Sequence, residues 1–324
     1  MLERILVPLD GSKTAESVLP YVRELGFRAK SDLTLFHVID PEVPLNSPRY
    51  SVYMRRATQS AKRKAEDYLR GVADDLQNAR IQTNVRTIVG PAAQRILSAA
   101  ESQRSGLVII SSRGRGEGDG WPYGSIADRI LHHARVPVLL VKPRPPLEQT
   151  EPAFQTLVVP LDGSRVAEAV IPLARELATK LGLGLHLIQA VPTPWQARAV
   201  LGWDVTENEE VREVDPVKDG HSYLDSVAQG LTQDRIWAEG RVLVGAAVPS
   251  ILGFAKGKEG TLIIMCTAGS RGIGAGWRVG SVAERIIRHS ETPVLLVPPR
   301  LAPHLRIAQR YAAATPALAT GISS

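Results

Sequence analysis

The chain has 324 residues, 44% hydrophobic and 22% charged, with a formal charge of +6. That length predicts two domains, and the balance is globular, which excludes a disordered or fibrous chain. The longest apolar runs, around 107–110 and 138–141, are far below the roughly 20 residues of a membrane span, and a charge of +6 with 5% aromatic residues argues against nucleic-acid binding as the main role.

In chain order, the apolar run 5–9 reads as a buried strand, and Ser12 behind it as a helix cap. Ala15, Val18, Leu19, Val22 and Leu25 recur at helical spacing. A strand follows at 33–39, a helix around 57–76, a strand at 85–89, a helix at 92–100 and a strand at 107–110. A glycine-rich loop then leads into a helix from Ser125, and a last strand at 138–141 closes the unit. The whole series then repeats. Ile5-Leu6-Val7-Pro8-Leu9-Asp10-Gly11-Ser12 returns 152 residues later as Leu157-Val158-Val159-Pro160-Leu161-Asp162-Gly163-Ser164. Gly124-Ser125-Ile126-Ala127 returns as Gly280-Ser281-Val282-Ala283, and Pro137-Val138-Leu139-Leu140-Val141 as Pro293-Val294-Leu295-Leu296-Val297, both offset by 156. The helical stripe returns as Ala167, Val170, Ile171, Ala174 and Leu177. A drift of four residues over a whole unit marks one duplicated domain. The expected boundaries are 1–143 and 154–299, with a Pro- and charge-rich linker at 144–153 and a tail at 300–324. Strands alternating with helices predict a parallel sheet covered on both faces. Ligands of such sheets bind beyond the carboxyl ends of the strands, where the strand order reverses.

Two segments carry chemistry at those ends. Asp10 follows the first strand, where a carboxylate either accepts hydrogen bonds from a ribose or an adenine amine, or sits as a dipole-favoured group at a helix start. After the fourth strand, Ser111-Ser112-Arg113-Gly114 is followed, after nine intervening residues, by Gly124-Ser125 opening a helix. Glycines let backbone approach a ligand, and a helix start is a natural phosphate site, although Ser125 is also an ordinary cap. No GxxxxGK[ST] occurs, and the glycine-dense stretch 114–120 follows the fourth strand, so it is not a dinucleotide fingerprint.

These residues resemble the universal stress protein family, whose nucleotide signature is Gly-x2-Gly-x9-Gly-[Ser/Thr] behind an early strand ending in aspartate. The resemblance covers both repeats and implies two tandem flavodoxin-like (adenine-nucleotide alpha-hydrolase-like) doubly wound α/β domains. Each would carry a five-stranded parallel sheet, and the two would pack as an internal pseudo-dimer through their closing strands, with a homodimer a further possibility of the family. The implied activity is binding of ATP, or of AMP or ADP, with Mg²⁺ on the phosphates, acting as a switch on an unknown protein partner or on assembly in the cytoplasm during stress. The implied site is Pro8, Leu9, Asp10, Val38, Ser111, Arg113, Gly114, Gly124, Ser125 and Ile126. Its second-repeat counterpart is Pro160, Leu161, Asp162, Ala190, Cys266, Gly269, Gly280, Ser281 and Val282. The first repeat has Ser111 at the signature's first glycine and Arg113 at a position often occupied by histidine, with Glu117 and Asp119 in the loop. The second has Cys266 and Ala268 at those places and one extra residue between Gly269 and Gly280. These departures support an alternative, a stress-response scaffold that binds no nucleotide. A slow ATPase is a third reading, for which no general base stands out.

Cys266, the single cysteine, excludes internal disulfides and reads as a small buried hydrophobe rather than a redox sensor. Trp121 and Trp277 read as loop anchors. The seven histidines lack metal-ligand spacing. Arg49, Arg55, Arg56, Lys62, Arg63 and Lys64 form a basic run whose counterpart, with Asp204, Glu207, Glu209, Glu210, Glu213 and Asp215, is acidic. Such runs are usually solvated faces, and their opposite signs raise the option of pairing between them.

Overall fold

The computed structural model describes residues 1–40, 52–114, 123–143, 153–193, 215–268 and 279–299. The tail, nearly all of the linker, Arg49, Glu117, Asp119, Trp121, Gly269, Trp277 and the acidic stretch before Asp215 lie outside them. The first half runs β1 (Arg4–Pro8), α1 (Lys13–Glu16), α2 (Leu19–Ala29), β2 (Asp32–Ile39), α3 (Val52–Asn78), β3 (Thr83–Val89), α4 (Ala92–Ser102), β4 (Leu107–Ser111), α5 (Ser125–His133) and β5 (Val138–Val141). The second runs β6 (Thr156–Pro160), a 3₁₀ turn (Ala167–Val170), α6 (Ile171–Leu181), β7 (Gly184–Val191), α7 (Pro216–Thr232), β8 (Ala238–Val244), α8 (Ala247–Ala255), β9 (Thr261–Cys266), α9 (Ser281–His289) and β10 (Val294–Val297).

All ten strands lie in one sheet, ordered β3-β2-β1-β4-β5-β10-β9-β6-β7-β8. Each half is parallel throughout, and the halves meet in the antiparallel pair β5–β10, in register Val294↔Leu140, Leu295↔Leu139 and Leu296↔Val138. The closing strands thus meet as the resemblance implies. Both read Val-Leu-Leu-Val and are buried along their full length, as strands covered on two faces should be. The outer strands β3 and β8 are more polar and carry Arg86 and Arg241, which blunts the sheet's edges against further pairing.

Two hydrophobic clusters fill the faces, and each crosses both halves. One lies under α2, α3, α6 and α7 and includes Leu25, Leu69, Leu139, Leu173, Leu224 and Leu295. The other lies under α4, α5, α8 and α9 and includes Ile96, Ile130, Leu140, Ile251, Ile286 and Leu296. Further ties join the halves. Tyr21 meets Phe154 with ring centroids 5.7 Å apart. The Arg28 guanidinium donates to the Phe154 and Leu181 carbonyls. The N-terminal ammonium donates to Glu176 of α6 at 2.8 Å.

In one respect the structure departs from the sequence reading. The stripe from Ala15 to Leu25 is two helices, broken at Ser17 and Val18, and its repeat is a 3₁₀ turn followed by α6. Pro20 and Pro172 stand in the first turn of α2 and α6. A proline has no N–H to continue a helix that enters from upstream, yet is tolerated where a new helix starts. Asp215 belongs to this local logic too. Its carboxylate accepts from the amides of Val217 and Lys218 at 3.0 and 3.2 Å, so it caps α7. Of the basic run, Arg55, Arg56, Lys62, Arg63 and Lys64 are exposed on α3.

Leu139, fully buried opposite Leu295, tests the joint between the halves. Leu139→Ala should cost about 2–5 kcal/mol. Because both clusters cross the joint, urea unfolding should remain a single transition for both halves. Two resolved transitions would show that the halves are energetically independent.

Candidate functional site

The strand order reverses between β1 and β4 in the first half and between β6 and β9 in the second. Of the site residues singled out from the sequence, all but Gly269, which lies outside the described residues, sit at the carboxyl ends of these strands or of β2 and β7, or at the starts of α5 and α9. After β1, the Leu9 amide still pairs with the Phe36 carbonyl of β2 at 2.9 Å, and Leu9 is buried. Gly11 then turns the chain at φ +80°. One oxygen of Asp10 accepts from the amide and the hydroxyl of Ser12 at 2.9 and 2.6 Å. The Ser12 hydroxyl accepts in turn from the Ala15 amide at 3.1 Å. The structure thus shows Ser12 capping α1, and its bonds to Asp10 hold that carboxylate in one orientation at the helix start.

The other Asp10 oxygen faces the loop after β4. A Cβ added to Gly114 would lie 2.7 Å from it, so a side chain here would push the carboxylate aside. Residues 104 positions apart in the sequence thus meet at the switch point. Arg113 is exposed beside them, and the Ser111 hydroxyl accepts from the Arg113 amide and from the Ser17 hydroxyl, each at 3.4 Å. The signature's first glycine position is thus filled by a side chain that joins its own loop to the end of α1. Val38, near the end of β2, is half-buried.

A clamp sets the start of α5. The buried Ser112 donates its amide to Val141 at 2.7 Å, and its carbonyl accepts from the Gly124 amide at 2.7 Å. Gly124 is the N-cap and makes no side-chain cap, so the first-turn amides of Ser125 and Ile126 meet no capping oxygen. Ser125 and Ile126 are both exposed. In α1 the same duty is met by Ser12. A helix start with extended backbone, no cap and exposed first residues is the arrangement that holds an anion.

The second half repeats these parts with changed chemistry. Asp162 accepts from the Ser164 amide and hydroxyl at 3.0 and 2.5 Å, behind Gly163 at φ +79°. The Thr267 carbonyl accepts from the Gly280 amide at 2.7 Å, and α9 likewise starts on Gly280 without a side-chain cap, with Ser281 and Val282 exposed. Pro8 and Pro160 end their strands, and Ala190 is half-buried like Val38. Cys266, however, is 6% exposed, and burial pushes its thiol up to about 11 against hydrogen bonds from the Ala268 and Thr267 amides. Glu168, one turn beyond Asp162, accepts from the Tyr223 hydroxyl at 3.0 Å. Burial pushes the Glu168 carboxyl above the usual range, the Tyr223 bond and Arg165 counter this, and Asp162 adds to the rise. Sequence reading missed this Glu168–Tyr223 pair. The repeat pairing of Glu16 with Glu168 was its only trace, since the tyrosine comes from a distant helix.

The universal stress protein family model matches residues 1–142 and 153–298. A universal stress protein of Mycobacterium tuberculosis is 26% identical over 305 residues, spanning 90% of this chain and 95% of its own. One from Mycolicibacterium smegmatis is 23% identical over 309 residues, spanning 91% and 97%. The crystal structure of a universal stress protein from Archaeoglobus fulgidus superposes with a TM-score of 0.66 at 21% identity, covering 92% of this chain and 99% of that one.

The Cys266 environment makes a direct prediction. With its thiol raised to about 11, the thiolate is scarce at pH 8. A disulfide reagent should label the native protein at least about 100-fold more slowly than the unfolded chain, whose thiol titrates near 8.5. Native labelling should go on accelerating as pH rises past 9. Rapid labelling at pH 8 would show an exposed, activated thiol.

Proposed function

The chain belongs to the universal stress protein family, and from that premise we propose that it binds ATP or a related adenine nucleotide at the carboxyl end of the first half's sheet. Binding then acts as a switch on a protein partner or on assembly. In this reading Asp10 accepts from the ribose or the adenine amine, the Val38 backbone meets the adenine edge, and Gly114, Gly124 and Ser125 take the phosphates. The observation that carries it is the meeting of Asp10 with Gly114 beside the uncapped start of α5. One oriented acceptor and one set of unclaimed donors, side by side, suit a ligand with a hydroxylated sugar at one end and phosphate at the other. Arg113 adds a cation beside the phosphates. Among the described residues there is no cluster of three or more potential metal ligands, so Mg²⁺ fits as a counter-ion carried by the phosphates rather than by a protein cage.

The second half favours the scaffold reading for itself. Asp162 and Glu168 gather negative charge at its switch point, and the buried Cys266 replaces a small polar residue there. On this reading one half binds nucleotide and the other serves as its structural partner.

Calorimetric titration of nucleotide-free protein with Mg-ATP tests both statements. The expected stoichiometry is near one. Asp10→Asn preserves the oxygen that accepts from Ser12, so it should leave thermal stability nearly unchanged while weakening ATP affinity at least tenfold, about 1.4 kcal/mol. Asp162→Asn should leave affinity as it was. A stoichiometry near two would assign a site to each half. Absence of heat would overturn the nucleotide reading in favour of the scaffold for the whole chain.

A further inference from the structure

The helix α3 is longer than the sheet it covers. Its 27 residues extend about 40 Å, whereas the 8 residues of β2 beneath it span about 26 Å. Its repeat α7, with 17 residues, extends about 26 Å and matches its strand. The far end of α3 leads through a turn at 79–82 straight into β3, so the excess lies at the start of α3 and projects past the carboxyl edge of the first half. Burial agrees with the lengths. Among the described residues of α3, Ala65 is the first that is buried, and none from Arg55 to Lys64 is.

This overhang is cationic. Residues 55–64 hold Arg55, Arg56, Lys62, Arg63 and Lys64 and no carboxylate. All five cations are exposed. Lys62 lies 3.9 Å from Glu66, and among the described residues no carboxylate pairs with the other four. Cations near the start of a helix oppose its dipole, and turns that bury nothing lack the packing from which most helical stability comes. Negative charge brought to the overhang would relieve both defects. The chain carries the complement in residues 204–213, which lie outside the described residues and hold Asp204, Glu207, Glu209, Glu210 and Glu213 against the single Arg212. Most of that stretch cannot reach the overhang of its own chain. α3 lies over β2 and β3, and α7 over β7 and β8, about eight strand spacings or roughly 38 Å apart along the sheet. Glu209, Glu210 and Glu213 stand six residues or fewer from Asp215, the cap of α7, so the chain keeps them within about 22 Å of it. A second copy is under no such limit.

We propose that the overhanging start of α3 docks the acidic stretch 204–213 of a second copy of this chain. Five cations then face five carboxylates and one arginine, and the positive end of α3 gains the negative charge it lacks. Each copy carries one surface of either sign, toward opposite ends of the ten-stranded sheet, so charge decides which end of one copy meets which end of the other. Nothing in this contact depends on the nucleotide reading.

Sedimentation of the full chain, freed of nucleic acid, tests the contact. Self-association is expected at about 0.02 M salt and should be lost by about 0.5 M, where the screening length is about 4 Å. Two charge-reversed variants then locate it. One carries Arg55→Glu, Arg56→Glu, Arg63→Glu and Lys64→Glu; the other carries Glu207→Lys, Glu209→Lys, Glu210→Lys and Glu213→Lys. Each alone should weaken self-association at least tenfold at low salt, with a melting temperature close to that of the unaltered chain. Mixing the two should restore association, because each supplies the sign the other has lost, and a variant that had failed to fold would not be rescued in this way. The proposal is overturned if the unaltered chain is monomeric at low salt, if both variants associate as it does, or if the mixture stays apart. Binding of a random-sequence DNA duplex by the unaltered chain without self-association, lost in the first variant, would overturn it in favour of a nucleic-acid contact.

Discussion

The antiparallel contact between β5 and β10 is the interaction on which the rest of the molecule depends. Each half taken alone would end in a Val-Leu-Leu-Val strand with one edge unpaired, although all four of its residues are buried in the chain as it stands. A strand of that composition with an open edge is an aggregation hazard, because its backbone donors and acceptors invite any other strand. Pairing the two copies satisfies both edges at once and makes two parallel sheets into one sheet of ten strands. It also merges the cores. The hydrophobic cluster on either face takes residues from both halves, so duplication supplied one large interior rather than two small ones.

The same joint positions the site. Val141 receives the Ser112 amide, and Ser112 in turn holds the Gly124 amide. The start of α5 is therefore tied through one residue to the strand at the centre of the sheet. Val297, Thr267 and Gly280 repeat this chain of bonds in the second half. In a helix whose first turn has no side-chain cap, such a tether lets the amides stay ordered while remaining available to a ligand. The turn after β1 works the opposite way: the Ser12 hydroxyl occupies the Ala15 amide of α1 and, with its own amide, orients Asp10.

Duplication also left the two halves free to diverge around a shared frame. Ser111 and Cys266 end equivalent strands, yet one is a half-buried hydroxyl turned toward Ser17 and the other a thiol held neutral by burial. Glu16 forms an exposed pair with Lys13, whereas Glu168 is drawn into a bond with Tyr223. At the amino edge the second half gathers Lys258, Arg241 and His186 around Phe254. Backbone geometry is retained where the sheet requires it, and charge varies where it does not.

Read without a structure, the chain already determined its repeat, its strand–helix alternation and the turns at Asp10 and Asp162. These depend on local pattern: continuous apolar runs, a serine cap and, in the first half, two glycines with nine residues between them. The stripe from Ala15 to Leu25 was legible as helix but not as two helices, because its apolar period continues through the break that Pro20 imposes. Other features were decided only by tertiary structure. Gly114 was legible as a loop glycine, but its close approach to Asp10 comes from the fold, which brings that carboxylate against it. The Glu168–Tyr223 bond and the Ser112 clamp likewise join groups far apart in sequence. The physical reason is that hydrophobic period and turn preference are properties of neighbouring residues, whereas close approach, desolvation and charge crowding exist only once distant segments share one small volume.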